Sequence, residues 1–268
     1  MRIALINENS QAAKNEMICS VLKKVVEPMG YEVRNYGMYS AEDECRTTYV
    51  QVGILAAVLL NSGAADYVIT GCGSGSGAML ACNSFPGVIC GLAEDPLDAY
   101  AFAQINDGNA LSIPYGKGFG WGGELNLQYI FEKLFCEESG QGYPKERGPF
   151  MQKNKRILDE VRKAAYRPLT DILKDLDPEL VRGALGGEHF QEYFFADCKC
   201  EEIAGRLGRG LFVFCGILFQ TGGGAGARIM GRPTPTPVFF FENRLCAFGK
   251  IVCTFSEKVA YLRLFNPH

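Results

Sequence analysis

Strong net charge and long apolar runs are both missing from this sequence. The formal net charge is only -3 and the isoelectric point is about 5.6, so no basic surface argues for nucleic acid or an anionic membrane as a partner. Residues 1–210 contain no uninterrupted apolar run of membrane-spanning length. The opening "MRIALINENS" turns polar too soon for a signal peptide. We therefore expect a cytoplasmic protein with no nucleic-acid and no membrane partner.

Histidine is almost absent as well, because the chain has only His189 and His268. The closely spaced pair Cys198 and Cys200 has only His189 nearby, which leaves too few ligands for a metal ion, and we expect no metal site. The eleven cysteines are scattered without the spacing of a secreted disulfide scaffold. Reduced thiols are the expected state.

Apolar runs of strand length alternate with longer segments of helical periodicity through the first half of the chain. This alternation predicts an α/β protein, a three-layer α/β/α sandwich with a five-stranded parallel sheet of Rossmann-like type. Ligands of such folds bind at the carboxyl ends of the strands. The strands are expected at residues 2–6, 31–36, 67–70, 87–92 and 109–113, and the helices at 12–30, 49–63, 77–83, 96–105 and 122–138. Ser10 is the expected N-cap of the first helix, and residues 31–36 are expected at or near a sheet edge.

The sequence is organised around "DYVITGCGSGSGAMLACNSFPGVICG", residues 66–91. The third predicted strand opens there into glycines at every second position, with Cys72, Ser74 and Ser76 between them. Backbone N–H groups of such a loop converge on an anion, and the helix that follows adds its positive end. Cys72 is either a buried small hydrophobe, as most free cysteines are, or a thiol with a proton-transfer role.

Two nucleotide-binding motifs fit these glycines poorly. The spacing "GCGSGSG" does not match GxGxxG, the loop does not follow the first strand, and no acid stands about 20 residues downstream at a strand end. No Lys-Ser or Lys-Thr closes the loop as in a phosphate-binding Walker motif. A dehydrogenase remains a minor alternative.

The composition divides the chain into three parts. Residues 1–150 form the predicted core, and residues 151–210 a helical extension with Asp177 and Pro178 at one helix start and a break at residues 186–187. Residues 211–268 carry six basic and two acidic residues, a glycine triplet and "PTPTP". This tail is an apolar appendage, a partner-binding linker or a segment read in the wrong frame, and we expect it to add nothing to the core sheet.

Three segments, "MRIALINENS", "GCGSGSGAMLACNSFPGV" and "QINDGNAL", resemble in order and spacing the type B ribose-5-phosphate isomerases and the galactose-6-phosphate isomerase subunits. The resemblance covers roughly residues 1–147, and longer family members carry a C-terminal helical extension. It implies a homodimer or tetramer with the active site at the subunit interface. It also implies aldose–ketose isomerisation of a phosphorylated sugar through a cis-enediolate, with a cysteine base and without a metal or other cofactor.

The same resemblance implies roles for individual residues. Cys72 matches the cysteine that shuttles the proton between C1 and C2, and Ser74 the hydroxyl that aids ring opening or proton transfer. The matching loop amides, which hold the enediolate oxygens, belong to Gly73, Gly75, Ser76 and Gly77. Asn106 and Tyr49 match positions near the sugar. Lys117, Lys145 and Arg147 lie in the regions that supply phosphate ligands, although none aligns residue for residue.

The chain departs from the family pattern at both histidines. The acid-histidine pair after the first strand is Glu8 and Asn9 here, and Ile105 replaces the histidine that opens the sugar ring. Glu8 or Glu94 would then open the ring, or the substrate is acyclic. We expect Glu8 to be catalytic and Asn9 and Glu94 to contact substrate. The alternative is a regulatory module that binds a sugar phosphate without catalysis.

Overall fold

The computed structural model describes residues 1–214, 254–256 and 259–261, and its centre is a five-stranded parallel sheet in the order β2-β1-β3-β5-β4. The strands are β1 (Arg2–Asn7), β2 (Glu32–Asn35), β3 (Tyr67–Cys72), β4 (Cys90–Leu92) and β5 (Ala110–Pro114). All neighbouring strands in this sheet are parallel. The predicted fold class is therefore confirmed, and β2 lies at an edge of the sheet as predicted.

Helices cover both faces of the sheet. They are α1 (Asn15–Val26), α2 (Tyr49–Asn61), α3 (Ser76–Asn83), α4 (Pro96–Ala101) and α5 (Gly123–Leu134). Helices α1 and α5 bury their apolar stripes against Ile3, Leu5 and Ile69 on one face. Helix α2 is almost wholly apolar and is buried from Val52 to Leu59 between the other face and the surrounding helices. A helix that is apolar on all sides requires such a place, which confirms the interpretation of residues 49–63.

The start of the first helical segment differs from the prediction. A 3₁₀ turn, Asn9–Lys14, precedes α1, and its N-cap is Glu8, whose side chain accepts from the backbone N–H of Ser10. Ser10 is therefore not the N-cap, because the longer carboxylate before it reaches the free amide. Helix α4 gives way to a π turn at Phe102–Asn106, and α5 ends at Leu134 rather than near Glu138.

The helical extension packs on the core through its helices before residue 201. It contains α6 (Gly148–Ala165), α7 (Leu169–Asp175), α8 (Pro178–Leu185), α9 (Glu188–Asp197) and α10 (Glu201–Phe214). Asp177 caps α8 through the N–H of Glu179 at 2.8 Å, with Pro178 at the first helical position, as predicted. The Tyr166 hydroxyl donates to the carbonyl of Asn83 at the end of α3.

A buried carboxylate attaches the end of α9 to the β1–β2 side of the sheet. Asp197 accepts from the hydroxyl of Tyr36 at 3.0 Å and lies 3.4 Å from Arg2 and 3.6 Å from Arg34. Burial raises the pKa of Tyr36, and the adjacent Asp197 charge raises it further. This hydroxyl therefore acts as a donor that satisfies the buried carboxylate.

The chain divides into two compact units, Met1–Ala204 and Gly205–His268. The second unit contains the strands β6 (Thr254–Ser256) and β7 (Val259–Tyr261), which form their own antiparallel pair. The three interpretations of residues 211–268 fall mostly outside the described residues. No helix in the described part of the chain is long and apolar enough to cross a membrane.

Candidate active site

The glycine-rich loop is fixed at the carboxyl edge of the sheet between β3 and α3. Gly75, the residue before α3, has a left-handed φ of +73°, and a Cβ there would lie 2.5 Å from Leu92. The Ser112 hydroxyl donates to the Gly75 carbonyl at 2.7 Å, and the Gly116 amide donates to the Gly73 carbonyl at 2.8 Å. Residues 73–75 are therefore held by β5 and by the residue pair after it, and they lead directly into the N-terminus of α3 at Ser76, which favours an anionic ligand.

Cys72 is the last residue of β3 and is buried beside Pro114 of β5. Its carbonyl accepts from the Tyr115 amide at 2.9 Å. Burial raises the pKa of the Tyr115 hydroxyl, and the nearby Cys72 raises it further. The thiol therefore lies at the strand end where the sequence predicts it, next to a neutral phenol.

Asn7 and Tyr115 are two buried polar residues near this edge that were not among the predicted site residues. The Tyr115 ring lies over Gly71, where an added Cβ would come within 2.4 Å of a ring carbon. The side-chain amide of Asn7 and the hydroxyl of Tyr115 are buried without a hydrogen-bond partner among the described residues. Such groups are costly unless a ligand or water satisfies them. The only sequence signal was the position of Asn7 at a strand end.

Glu8 and Asn9 follow β1 at the same edge. Glu8 is buried, and its two carboxylate oxygens accept from the backbone N–H of Ser10 at 2.9 Å and from the Ser10 hydroxyl. A Cβ on Gly73 would lie 3.8 Å from the Ser10 hydroxyl, so the segment after β1 borders the glycine loop. The Asn9 amide donates to the Thr47 carbonyl at 2.8 Å.

Tyr49 lies against the other side of the glycine loop. A Cβ on Gly77 would be 3.2 Å from the Tyr49 ring, which is about half exposed. Thr48 and Gln51 form a capping box at the start of α2, and this helix start points toward the same edge. The helix N-termini of α2, α3 and α5 thus face the carboxyl edge and add positive potential there.

Glu94 and Lys117 also lie at the carboxyl edge, but they pair with each other. The Lys117 ammonium is 2.7 Å from the Glu94 carboxylate, and both side chains are about half exposed. The Asn126 side chain donates to the Glu94 carbonyl at 3.2 Å. While this ion pair is intact, Lys117 is not free to bind a phosphate and Glu94 is not free to act as a base.

The remaining predicted residues lie at the opposite, amino edge of the sheet. Asn106 is exposed at the end of the π turn that leads into β5, and Asp107 accepts from the Ser139 hydroxyl at 2.6 Å. Lys145 pairs with Glu137 at 2.5 Å, and Arg147 lies over the ring of Phe150. The five residues of β5 separate the two edges by roughly 16 Å. A single chain therefore does not bring Asn106, Lys145 and Arg147 to Cys72.

Known proteins match this chain over both its core and its extension. The family model described as Ribose/Galactose Isomerase matches residues 3–133. A second model, described as Ribose-5-phosphate isomerase, matches residues 164–207. A solved Ribose-5-phosphate Isomerase LacAB_rpiB from Vibrio parahaemolyticus is 48% identical, with 79% of this chain and 99% of that chain covered and a TM-score of 0.77.

The chain belongs to the ribose/galactose isomerase family. Within this family of sugar isomerases, it is 61% identical to a solved 4-deoxy-L-threo-5-hexosulose-uronate ketol-isomerase complexed with a tartrate, with 79% of this chain and 99% of that chain covered and a TM-score of 0.77. It is 30% identical to ribose-5-phosphate isomerase B of Escherichia coli strain K12 over 100 residues, 37% of this chain. The matched part spans 62% of that curated relative.

Proposed function

We propose that this protein catalyses the aldose–ketose isomerisation of an anionic sugar through a cis-enediolate, with Cys72 as the base. The observation that carries the proposal is the position of Cys72 at the end of β3, directly before a fixed glycine loop and the N-terminus of α3. A reaction that moves a proton between neighbouring carbons requires one base that takes and returns it, together with fixed donors for the oxyanion.

Protein groups alone accept and return every proton that moves in the proposed reaction. The Cys72 thiolate removes the hydrogen from C2 of the aldose, and the electron pair moves into the carbonyl to give the enediolate. The amides of Gly73, Gly75, Ser76 and Gly77 donate to its oxygens, while the Ser74 hydroxyl carries a proton from the C2 oxygen to the C1 oxygen. Cys72 then returns its proton to C1, which leaves the ketose and regenerates the thiolate.

We also propose that a complete site forms between two copies of the chain. The support is the separation of the predicted residues, with Cys72, Glu8 and Tyr49 at the carboxyl edge and the exposed Asn106 at the amino edge. In a homodimer, the amino edge of one copy would place Asn106, Lys145 and Arg147 over the glycine loop of the other. The ion pair of Lys145 with Glu137 would then have to exchange for substrate.

A phosphorylated sugar is the first candidate substrate, because the curated relative is a ribose-5-phosphate isomerase B. Two of the three residues predicted to bind its phosphate already make ion pairs, Lys117 with Glu94 and Lys145 with Glu137.

An acyclic sugar acid is the second candidate, favoured by Ile105 at the position expected for a ring-opening group. 4-Deoxy-L-threo-5-hexosulose uronate has no hydroxyl at C4 and a ketone at C5, so neither carbon offers the hydroxyl that closes the usual sugar rings. Its isomerisation therefore needs no ring-opening acid, and its carboxylate needs fewer cationic partners than a phosphate. The 61% identity to a ketol-isomerase named for this compound supports the same substrate class here.

The central experiment compares the parent protein with Cys72→Ala in heavy water on ribose 5-phosphate and on 4-deoxy-L-threo-5-hexosulose uronate. Loss of the base should slow solvent exchange of the C2 hydrogen by about 10²- to 10⁴-fold on whichever substrate the parent turns over. Cys136→Ala, which changes an exposed thiol, is the matched control and should retain the parent rate. Exchange at the parent rate in Cys72→Ala would exclude this base. Ligand binding without turnover by the parent would favour the regulatory module.

A further inference from the structure

The loop of residues 37–48, between β2 and α2, forms one wall of the candidate site. Its Thr47 carbonyl accepts from the Asn9 amide at 2.8 Å. Its last residue, Thr48, caps α2, and Tyr49 follows directly with its ring on Gly77. The position of this loop therefore sets the positions of Asn9 and Tyr49, the two predicted substrate contacts on this side of the glycine loop.

Asp43 organises this loop from within. One of its carboxylate oxygens accepts from the Tyr39 amide at 3.1 Å, and the other accepts from the Cys45 amide at 3.1 Å. Its side chain is only 11% exposed. Burial tends to raise the pKa of this carboxyl, but hydrogen bonds from His189 and from the two amides outweigh burial and lower the pKa. A loop of this length with no strand or helix of its own depends on such an internal acceptor.

The helical extension holds the loop through helix α9. The Nε2 atom of His189 lies 2.8 Å from the Asp43 carboxylate, and the imidazole stacks on the Tyr39 ring at 3.7 Å between centroids. The Tyr39 hydroxyl lies 3.1 Å from that of Tyr193, one turn further along α9. A Cβ on Gly187 would lie 2.7 Å from the Cys45 sulfur, so the start of α9 packs directly on the loop.

We propose that His189 is a positioning residue for the isomerase site, which holds Asp43 and thereby places Asn9 and Tyr49 against the glycine loop. This role rests on the proposed function, because it assumes that the loop borders a substrate. The proposal gives the helical extension a function. The core attaches residues 37–48 mainly at their two ends, and α9 fixes the part between them. His189 acts through Asp43 and does not contact the substrate.

The test uses His189→Ala and His189→Gln in the full-length protein, with hydrogen exchange of the amides in residues 37–48 and steady-state kinetics as readouts. The alanine variant should exchange the Tyr39 and Cys45 amides on the order of tenfold faster and raise KM by about tenfold, with kcat changed less than about threefold. Glutamine keeps an N–H donor for Asp43 and should recover most of both effects. Glu188→Gln, an exposed change in the same turn of α9, is the control and should match the parent.

Two results would overturn the proposal. The first is parent exchange and parent KM in His189→Ala, and the second is faster loop exchange with an unchanged KM, which would separate the loop from the site. If the alanine variant does not fold, Asp43→Asn weakens the same contact and should raise KM in the same direction. The parent protein could also turn over no sugar while His189→Ala still exchanges the loop amides faster. That result would reject the proposed function but would support the attachment of the loop by His189.

Discussion

The two edges of the central sheet carry different kinds of candidate site residue. At the carboxyl edge, Cys72, Glu8 and Asn7 are buried, and the glycine loop is fixed by hydrogen bonds from β5. At the amino edge, Asn106, Lys145 and Arg147 are exposed. The first edge is organised within one chain, whereas the side chains named at the second edge are exposed to solvent.

Under the proposed function, this difference would let one fold separate the proposed chemistry from substrate recognition. The groups proposed to move protons must be held rigidly, and the strands and helix starts of the carboxyl edge hold them. The proposed recognition groups can remain solvated until a second copy and a substrate meet them. Substitutions at the two edges should therefore differ in whether stability changes along with activity.

Gly71→Ala should produce the largest loss of stability, because the new Cβ would meet the Ile113 carbonyl and the Tyr115 ring. We expect the free energy of unfolding to fall by about 3 kcal/mol, with loss of activity, in denaturant titration. Gly120→Ala is the control, since a Cβ there meets no atom within 4 Å, and it should stay within about 0.5 kcal/mol. An unchanged midpoint in Gly71→Ala would contradict the close packing at this edge.

Asn106→Ala should show the opposite pattern at the amino edge. The side chain is exposed, so the free energy of unfolding should change by less than about 0.5 kcal/mol. Loss of one hydrogen bond to the substrate should lower kcat/KM by about tenfold. Asn154 on α6 is also an exposed asparagine, so Asn154→Ala is the control and should leave kcat/KM unchanged. Equal kinetics in both variants would remove Asn106 from the proposed site.

Glu8→Gln should have the smallest effect on activity toward an acyclic substrate and should sharpen the substrate assignment. An amide nitrogen would replace one of the two acceptor oxygens that face Ser10, which should cost about 1 kcal/mol. Activity on an acyclic substrate should persist, whereas activity on a ring-forming substrate should fall if Glu8 opens the ring. Parallel kcat/KM measurements on the two substrates decide this, and equal retention on both would exclude Glu8 as the ring-opening group.

The sequence predicted the sheet and its buried helix well, because these follow from local patterns. The run of residues 49–63 is apolar on every side, and such a segment can only lie in the core. The helix start at Ser10 was wrong, since the choice between two neighbouring caps depends on which side chain reaches the free amide. Glu8 has that reach in the folded chain, and residue preferences alone did not rank it first.

The sequence named candidate site residues, and the structure adds how they are arranged. The glycines around Cys72 identified the loop. The opposite locations of Cys72 and Asn106 follow from the parallel courses of β3 and β5, which the predicted sheet already contained, but the two residues were predicted as parts of one site. The buried polar groups of Asn7 and Tyr115 were missed, because burial is a property of the packed fold. The ion pair of Glu94 with Lys117 was missed for the same reason, although each residue was considered separately.

The most direct test of the account is complementation between Cys72→Ala and Asn106→Ala subunits, co-expressed with two different tags and purified as mixed oligomers or as a random mixture. If sites form between copies, a mixed dimer regains one intact site, so a random mixture should reach about a quarter of the parent activity. The separate variants should each stay at or below about a tenth of it. Activity of the mixture no higher than the average of the two separate variants would contradict a site shared between subunits.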